Sequence, residues 1–207
     1  MLPEGAYKWV ATRFKEVTLK LFDLAGRTAL ITGSSQGIGY ALANGLSQAG
    51  ANIVLNGRDE SKLADAAGRL AKGGASVKTL PFDVTDADQT ASAVNAFVEE
   101  HGAPDILVNN AGMQFRTPLE DYPTDMFDKL MRTKVNSVIY VGQPVERQKI
   151  TRGYGKIIQI TTVQTALATP PNDPYTTTKG DVANQTKGMA TDWAKYGQQQ
   201  NTNETSK

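Results

Sequence analysis

An apolar strand pattern, a glycine-rich turn and the opening of a helix follow one another in the stretch Thr28–Gly39, TALITGSSQGIG. Ala29–Thr32 predicts a buried strand, and Gly37–Ala49 predicts a helix that stops at Gly50, a residue suited to a left-handed C-terminal cap. Between them lies Gly33-Ser-Ser-Gln-Gly37-Ile-Gly39. Glycines let the backbone turn tightly and approach a ligand, and a helix N-terminus offers unpaired N–H groups and partial positive charge to an anion. In a strand–turn–helix context this is a cradle for the pyrophosphate of a dinucleotide. The candidate contacts on it are Gly33, Ser35, Gln36, Gly37, Ile38 and Gly39.

The rest of the chain repeats the alternation. Strands are predicted at Asn52–Leu55, Val77–Phe82, Ile106–Asn109 and Lys156–Thr161. Helices are predicted from Glu60 to Lys72 with Asp59 as cap, over Asp86–Glu100 capped by Thr85, after a capping Thr124, and from Asp173-Pro174 to about Tyr196. Strands alternating with helices give right-handed crossovers, hence a parallel sheet with helices on both faces: a three-layer α/β fold of the Rossmann type. Residues 1–21 read as an N-terminal extension, with Val10, Phe14, Val17 and Leu21 at helical spacing. Residues 22–197 read as the dinucleotide-binding catalytic domain, and residues 198–207, QQQNTNETSK, as a polar, disordered tail.

The chain has 207 residues, 22 basic and 21 acidic, for a net charge of +1, which gives no electrostatic case for nucleic acid or a membrane surface. It contains no cysteine and one histidine, His101, so a cysteine- or histidine-built metal centre is not expected. No apolar run reaches the ~20 residues that span a bilayer, and no secretory pattern is present. A cytoplasmic protein is expected.

Two further features carry chemistry. Tyr175 and Lys179 lie four residues apart on one predicted helix and share a face. A free tyrosine titrates near 10, and a nearby ammonium favours the phenolate, so the pair suits proton transfer to and from an alcohol. At the end of the second strand, Leu55-Asn56-Gly57-Arg58 places glycine where an NAD-binding chain usually carries an acid, and Arg58 follows it. A guanidinium there suits the 2′-phosphate of NADP, with NAD the alternative.

The spacing Thr32-Gly33-x-x-x-Gly37-x-Gly39, Asn109-Asn110-Ala111-Gly112 after the fourth strand, and Tyr175-Thr-Thr-Thr-Lys179 occur in order, and over 22–197 the chain resembles the short-chain dehydrogenase/reductase family. GKIIQITTVQ and TPLEDYPTDMFD are similar to the gluconate 5-dehydrogenases within it. The resemblance implies an oxidoreductase that interconverts an alcohol and a ketone, on a sugar acid such as gluconate or 5-ketogluconate. A 3-oxoacyl or general carbonyl reductase is the alternative. It implies that Asp83 and Val84 line the adenine pocket, that Asn110, Ala111 and Gly112 contact the nucleotide, and that Lys179 also holds the nicotinamide ribose. It matches Asn136 to the family's water-positioning asparagine, and Thr162, thirteen residues before Tyr175, to its substrate-orienting serine. It further implies a homodimer or homotetramer.

The C-terminal third departs from this pattern. Pro144 falls within a predicted helix, Gln159 within a buried strand, and Gln185 on the stripe Val182, Thr186, Met189 and Trp193. The family continues past the equivalent of Gly197 with two more strands, a Pro-Gly nicotinamide contact and a substrate loop. Without them the fifth strand is expected to be a bare apolar edge. A sequence incomplete or imperfect in this third, or a truncated chain reduced to a nucleotide-binding module, accounts for these departures.

Overall fold

The computed structural model describes residues 22–205. Its core is a six-stranded, all-parallel sheet of β1 (Thr28–Ile31), β2 (Asn52–Gly57), β3 (Val77–Pro81), β4 (Ile106–Asn109), β5 (Gly155–Thr162) and β6 (Gln198–Thr205), in the order β3-β2-β1-β4-β5-β6. The central strands read TALI and ILVN and are buried on both faces, as a parallel sheet between helices requires.

Strand alternation divides the core into two layers. Ala29, Ile31, Ile53, Leu55, Ile106 and Val108 face Ala43 of α1 (Gly37–Gln48) and Leu63, Ala66 and Leu70 of α2 (Glu60–Lys72). Leu30, Val54, Leu107 and Ile157 face Val94 and Phe97 of α3 (Ala87–His101) and Val141 and Val145 of a later helix, α5 (Ser137–Ile150). A short helix, α4 (Thr124–Met131), runs through a π-helical turn, Arg132–Asn136, into α5. The long α6 (Asp173–Trp193) packs on β5 and β6. Strand order reverses beside β1, whose neighbours are β2 and β4, and a crevice opens there at the C-terminal ends of the strands.

Several helix boundaries follow local chemistry. Asp59 caps α2 through Oδ1, which accepts from the Lys62 N–H at 3.0 Å, and Gly50 adopts φ +97° after α1. Thr85 does not cap α3. Its backbone N–H and hydroxyl both donate to Asp83 Oδ1, at 2.9 and 2.8 Å, and Asp86 caps instead by accepting from the Gln89 N–H at 2.9 Å. Thr124 is likewise the first helical residue of α4, after an uncapped Pro123, and Asp173 is the first of α6, after Asn172.

The final stretch differs most from expectation. Gln198–Thr205 is not a disordered tail but a strand, in register with β5 from Gly155↔Gln198 to Thr162↔Thr205. The β5 backbone supplies a full row of hydrogen-bonding groups, and an edge partner needs only a backbone to satisfy them. Side chains add to this: Lys156 Nζ donates to Gln199 Oε1 at 2.8 Å, and Gln198 Nε2 to the Tyr196 carbonyl at 3.3 Å. Polar residues are nevertheless buried without full satisfaction. Gln159 is fully buried with Oε1 unpartnered, and Oε1 of Gln185 is also buried without a partner. Pro144 is buried inside α5. The expected N-terminal helix lies outside the described residues.

Among the described residues no helix is long and apolar enough to cross a membrane, and no cluster of three His, Cys, Asp or Glu is placed to hold a metal.

Candidate active site

The crevice at the strand ends is a cleft of about 710 Å³, and the glycine turn forms one wall. Gly33 and Gly37 both adopt φ +61°, the left-handed region that glycine alone enters freely. No side chain caps α1 at Gln36, which leaves the helix N-terminus open to an anion. Gly39 has a different reason to be glycine. A Cβ there would collide with the Gly33 carbonyl oxygen and come within 2.6 Å of Asn110 Nδ2.

The turn is locked to its neighbours from beneath. Thr32 Oγ1 accepts from the Asn110 and Ala111 N–H groups, both at 3.0 Å. Asn110 Nδ2 donates back to the carbonyls of Thr32 at 3.0 Å and Gly33 at 3.1 Å. Asn56, almost fully buried, accepts from the Gly33 N–H at 3.3 Å through Oδ1, while Nδ2 donates to the Leu80 and Phe82 carbonyls at 3.1 and 3.2 Å. Its side chain therefore ties β2, β3 and the turn together.

At the β2 and β3 end, Gly57, Arg58, Asp83 and Val84 line the cleft with Ser35. Arg58 is 73% exposed, and its guanidinium stands 3.6 Å from Asp83 Oδ2. The Asp83 carboxyl titrates below its usual range. Burial raises it, but the Thr85 hydrogen bonds and the Arg58 charge together outweigh that. A solvent-facing guanidinium is a donor fork that can pair with a phosphate.

At the β4 and β5 end, the same cleft is lined by Gly112, Thr162 and Tyr175. Thr162 closes β5 and is buried. Lys179 is buried one turn beyond Tyr175; its Nζ donates to the Ile160 carbonyl at 2.5 Å and lies 5.6 Å from the Tyr175 ring centre. Burial lowers Lys179 to about 8. Tyr175 departs from the sequence-based expectation: its phenol is raised above 10, because burial dominates, with Arg116 opposing it.

The cleft thus brings together Gly33, Ser35, Gln36, Gly37, Ile38, Asn56, Arg58, Asp83, Val84, Asn110, Ala111, Gly112, Thr162 and Tyr175, with Gly39 and Lys179 directly behind its wall. It does not include Asn136. That side chain is exposed and its Nδ2 contacts Tyr140 Oη at 3.5 Å. Lys134 takes the place facing Tyr175, with Nζ 4.7 Å from the ring centre. Two residues apart in the π-helical turn, the two side chains meet different partners. No sequence periodicity marked Lys134. The signal available was its position two residues before Asn136, at the entry to α5.

Comparison with known proteins places these features in context. Residues 27–202 match the family model described as short chain dehydrogenase. Gluconate 5-dehydrogenase of Gluconobacter oxydans (strain 621H) is 50% identical over 181 residues, covering 87% of this chain and 71% of that protein. 5-Keto-D-gluconate 5-reductase of Escherichia coli (strain K12) is 36% identical over the same coverage. The crystal structure of a gluconate 5-dehydrogenase from Burkholderia cenocepacia J2315, in complex with NADP and tartrate, superposes with a TM-score of 0.87 at 49% identity, covering 89% of this chain and 72% of that one.

Proposed function

The chain belongs to the short chain dehydrogenase family of oxidoreductases acting on CH–OH groups, and from that premise we propose that it interconverts the secondary alcohol and ketone of a sugar acid, of the gluconate and 5-ketogluconate kind, with NADP. One observation carries the reading: a single cleft of about 710 Å³ joins the glycine cradle and Arg58 at one end to Thr162 and Tyr175 at the other. The names of the similar proteins supply the substrate class.

The residues fit the dinucleotide. Gly33, Gly37 and the open α1 terminus receive the pyrophosphate, and Arg58 receives the 2′-phosphate, where neither Asn56 nor Gly57 offers an acid to the ribose. Asn110, Ala111 and Gly112 form the wall beyond the cradle. When bound, the nicotinamide supplies the hydride acceptor for oxidation or the donor for reduction. Tyr175 exchanges the substrate's hydroxyl proton: it takes the proton as hydride leaves the carbinol carbon and returns it in the reverse direction. The Thr162 hydroxyl orients the same oxygen, with a donor and an acceptor to give. Lys179 stands one turn behind Tyr175, fixed by the Ile160 carbonyl, while Arg116 supplies the positive charge that opposes burial of the Tyr175 hydroxyl.

The test is nucleotide reduction by the purified chain with NADP or NAD against gluconate, neutral polyols and a 3-hydroxyacyl thioester. NADP reduction with gluconate as the preferred alcohol is expected. Preference for the thioester, or no turnover on any alcohol, contradicts the proposal.

A further inference from the structure

At the catalytic end of the cleft one cation has no task in the chemistry above. Lys134 sits in the π-helical turn Arg132–Asn136, and its long side chain is carried into the cleft against two surfaces. Its Nζ lies 4.7 Å from the centre of the Tyr175 ring. It also rests against Gly112, where a Cβ would come within 2.6 Å of it. Among the described residues it forms no hydrogen bond and no ion pair. An ammonium carries three donors, and this one faces the open cleft with none of them taken up by a described residue.

The surrounding charges indicate what that is. The acids lining the cleft are Asp59 and Asp83, and both belong to the nucleotide end, engaged with Lys62 and Arg58. The catalytic end is lined by Lys129 and Lys134, with Lys179 behind Tyr175 and Arg116 near enough to act on the Tyr175 phenol. Among the described residues no acid lines that end of the cleft, and the phosphates of a hydride carrier would be held at the other end.

Resting on the sugar-acid reading above, we propose that Lys134 is the residue that recognises the substrate's carboxylate. Its ammonium donates to the carboxylate while Tyr175 and Thr162 engage the reacting oxygen, so the acid is distinguished from a neutral polyol of the same length. A charge-assisted hydrogen bond of this kind carries roughly a tenfold or larger change in affinity.

The experiment compares gluconate with glucitol, its neutral counterpart, in wild type, Lys134→Gln, Lys134→Met and Lys134→Arg. It measures KM and kcat at saturating NADP, together with calorimetric binding of gluconate to the NADPH-loaded protein. In K134Q and K134M the KM and Kd for gluconate rise at least tenfold, kcat stays within about threefold, glucitol kinetics are unchanged, and K134R restores most of the gluconate affinity. Unchanged melting temperature and NADPH affinity in K134Q show that the fold and cradle are intact. If wild type prefers gluconate and K134Q keeps that preference, the role of Lys134 is overturned while the substrate class stands. If gluconate and glucitol are impaired equally, Lys134 acts on structure or chemistry and its role in recognition is overturned. If wild type turns over glucitol as well as gluconate, the sugar-acid reading falls, and this inference with it.

Discussion

Alanine at Gly39 and alanine at Gly37 should damage the chain in different ways, although both change the same turn by one methyl group. At Gly39 the added carbon meets the Gly33 carbonyl oxygen, Asn110 Nδ2 at 2.6 Å and the Ser34 Cα at 2.9 Å. Two of these are backbone and cannot swing aside. Overpacking of this kind costs about 1–3 kcal/mol. Displacing Asn110 also loosens its bonds to the Thr32 and Gly33 carbonyls, at 3.0 and 3.1 Å, each contributing about 1 kcal/mol. The sum is about 3–5 kcal/mol, a large part of the ~5–15 kcal/mol that holds a domain folded. At Gly37 nothing lies within 4 Å of the added carbon, and the loss is the left-handed backbone alone, at φ +61°. That costs about 1–2 kcal/mol for a residue with a side chain. Urea unfolding followed by circular dichroism should therefore show G39A losing about 1–4 kcal/mol more stability than G37A. The binding order should be the opposite in proportion: the G37A methyl projects into open space on the cradle and weakens nucleotide binding at least tenfold despite its mild effect on folding. A G39A variant as stable as G37A would refute the packing argument.

Three more outcomes follow from particular groups. Glu146 is buried with neither carboxylate oxygen hydrogen-bonded, and burial raises its titration above the ordinary 4.5 with Lys149 opposing. The folded state then holds a proton that the unfolded state has released, so stability is greatest below about pH 4.5 and declines as pH rises towards the folded value, by up to about 1.4 kcal/mol per unit. Glu146→Met should flatten this slope in urea titrations carried out across that pH range; an unchanged slope contradicts it. Arg58→Ala should weaken NADPH binding roughly tenfold or more and leave NADH unchanged in fluorescence titrations; equal losses for both would remove Arg58 from 2′-phosphate recognition. Burial, then repulsion from Lys179, lowers Lys134 to about 7. Its ammonium is present below that value and lost above it, so KM for a sugar acid should rise as pH passes upward through 7, and the K134R variant should not show this rise.

The nucleotide half of the cleft was legible because its signals are local. A strand, three glycines and a helix start within twelve residues dictate their own geometry, and Asp59 caps the helix it precedes. Arg58, which follows β2, lines the same cleft. The catalytic half depends on which helix face meets which, and sequence spacing does not convey that through a π-helical turn. Asn136 contacts Tyr140, while Lys134 reaches Tyr175. Burial, invisible in sequence, raises the Tyr175 phenol against the opposing charge of Arg116. The polar run Gln198–Thr205 looked unstructured because composition reports side chains, whereas β6 is held by pairing its backbone with β5. Thr85 lost the cap of α3 to Asp86 because Asp83, two residues earlier, already engaged it.

The claim that this cleft is a catalytic centre, and not only a nucleotide site, rests on Tyr175. The decisive measurement is gluconate-dependent NADP reduction by wild type and Tyr175→Phe, with NADPH affinity measured on the same preparations. Removal of the hydroxyl should leave the affinity within about threefold and lower kcat by about a hundredfold or more. Undiminished turnover in Tyr175→Phe would show that the proton is exchanged elsewhere, and would contradict the assignment of the site.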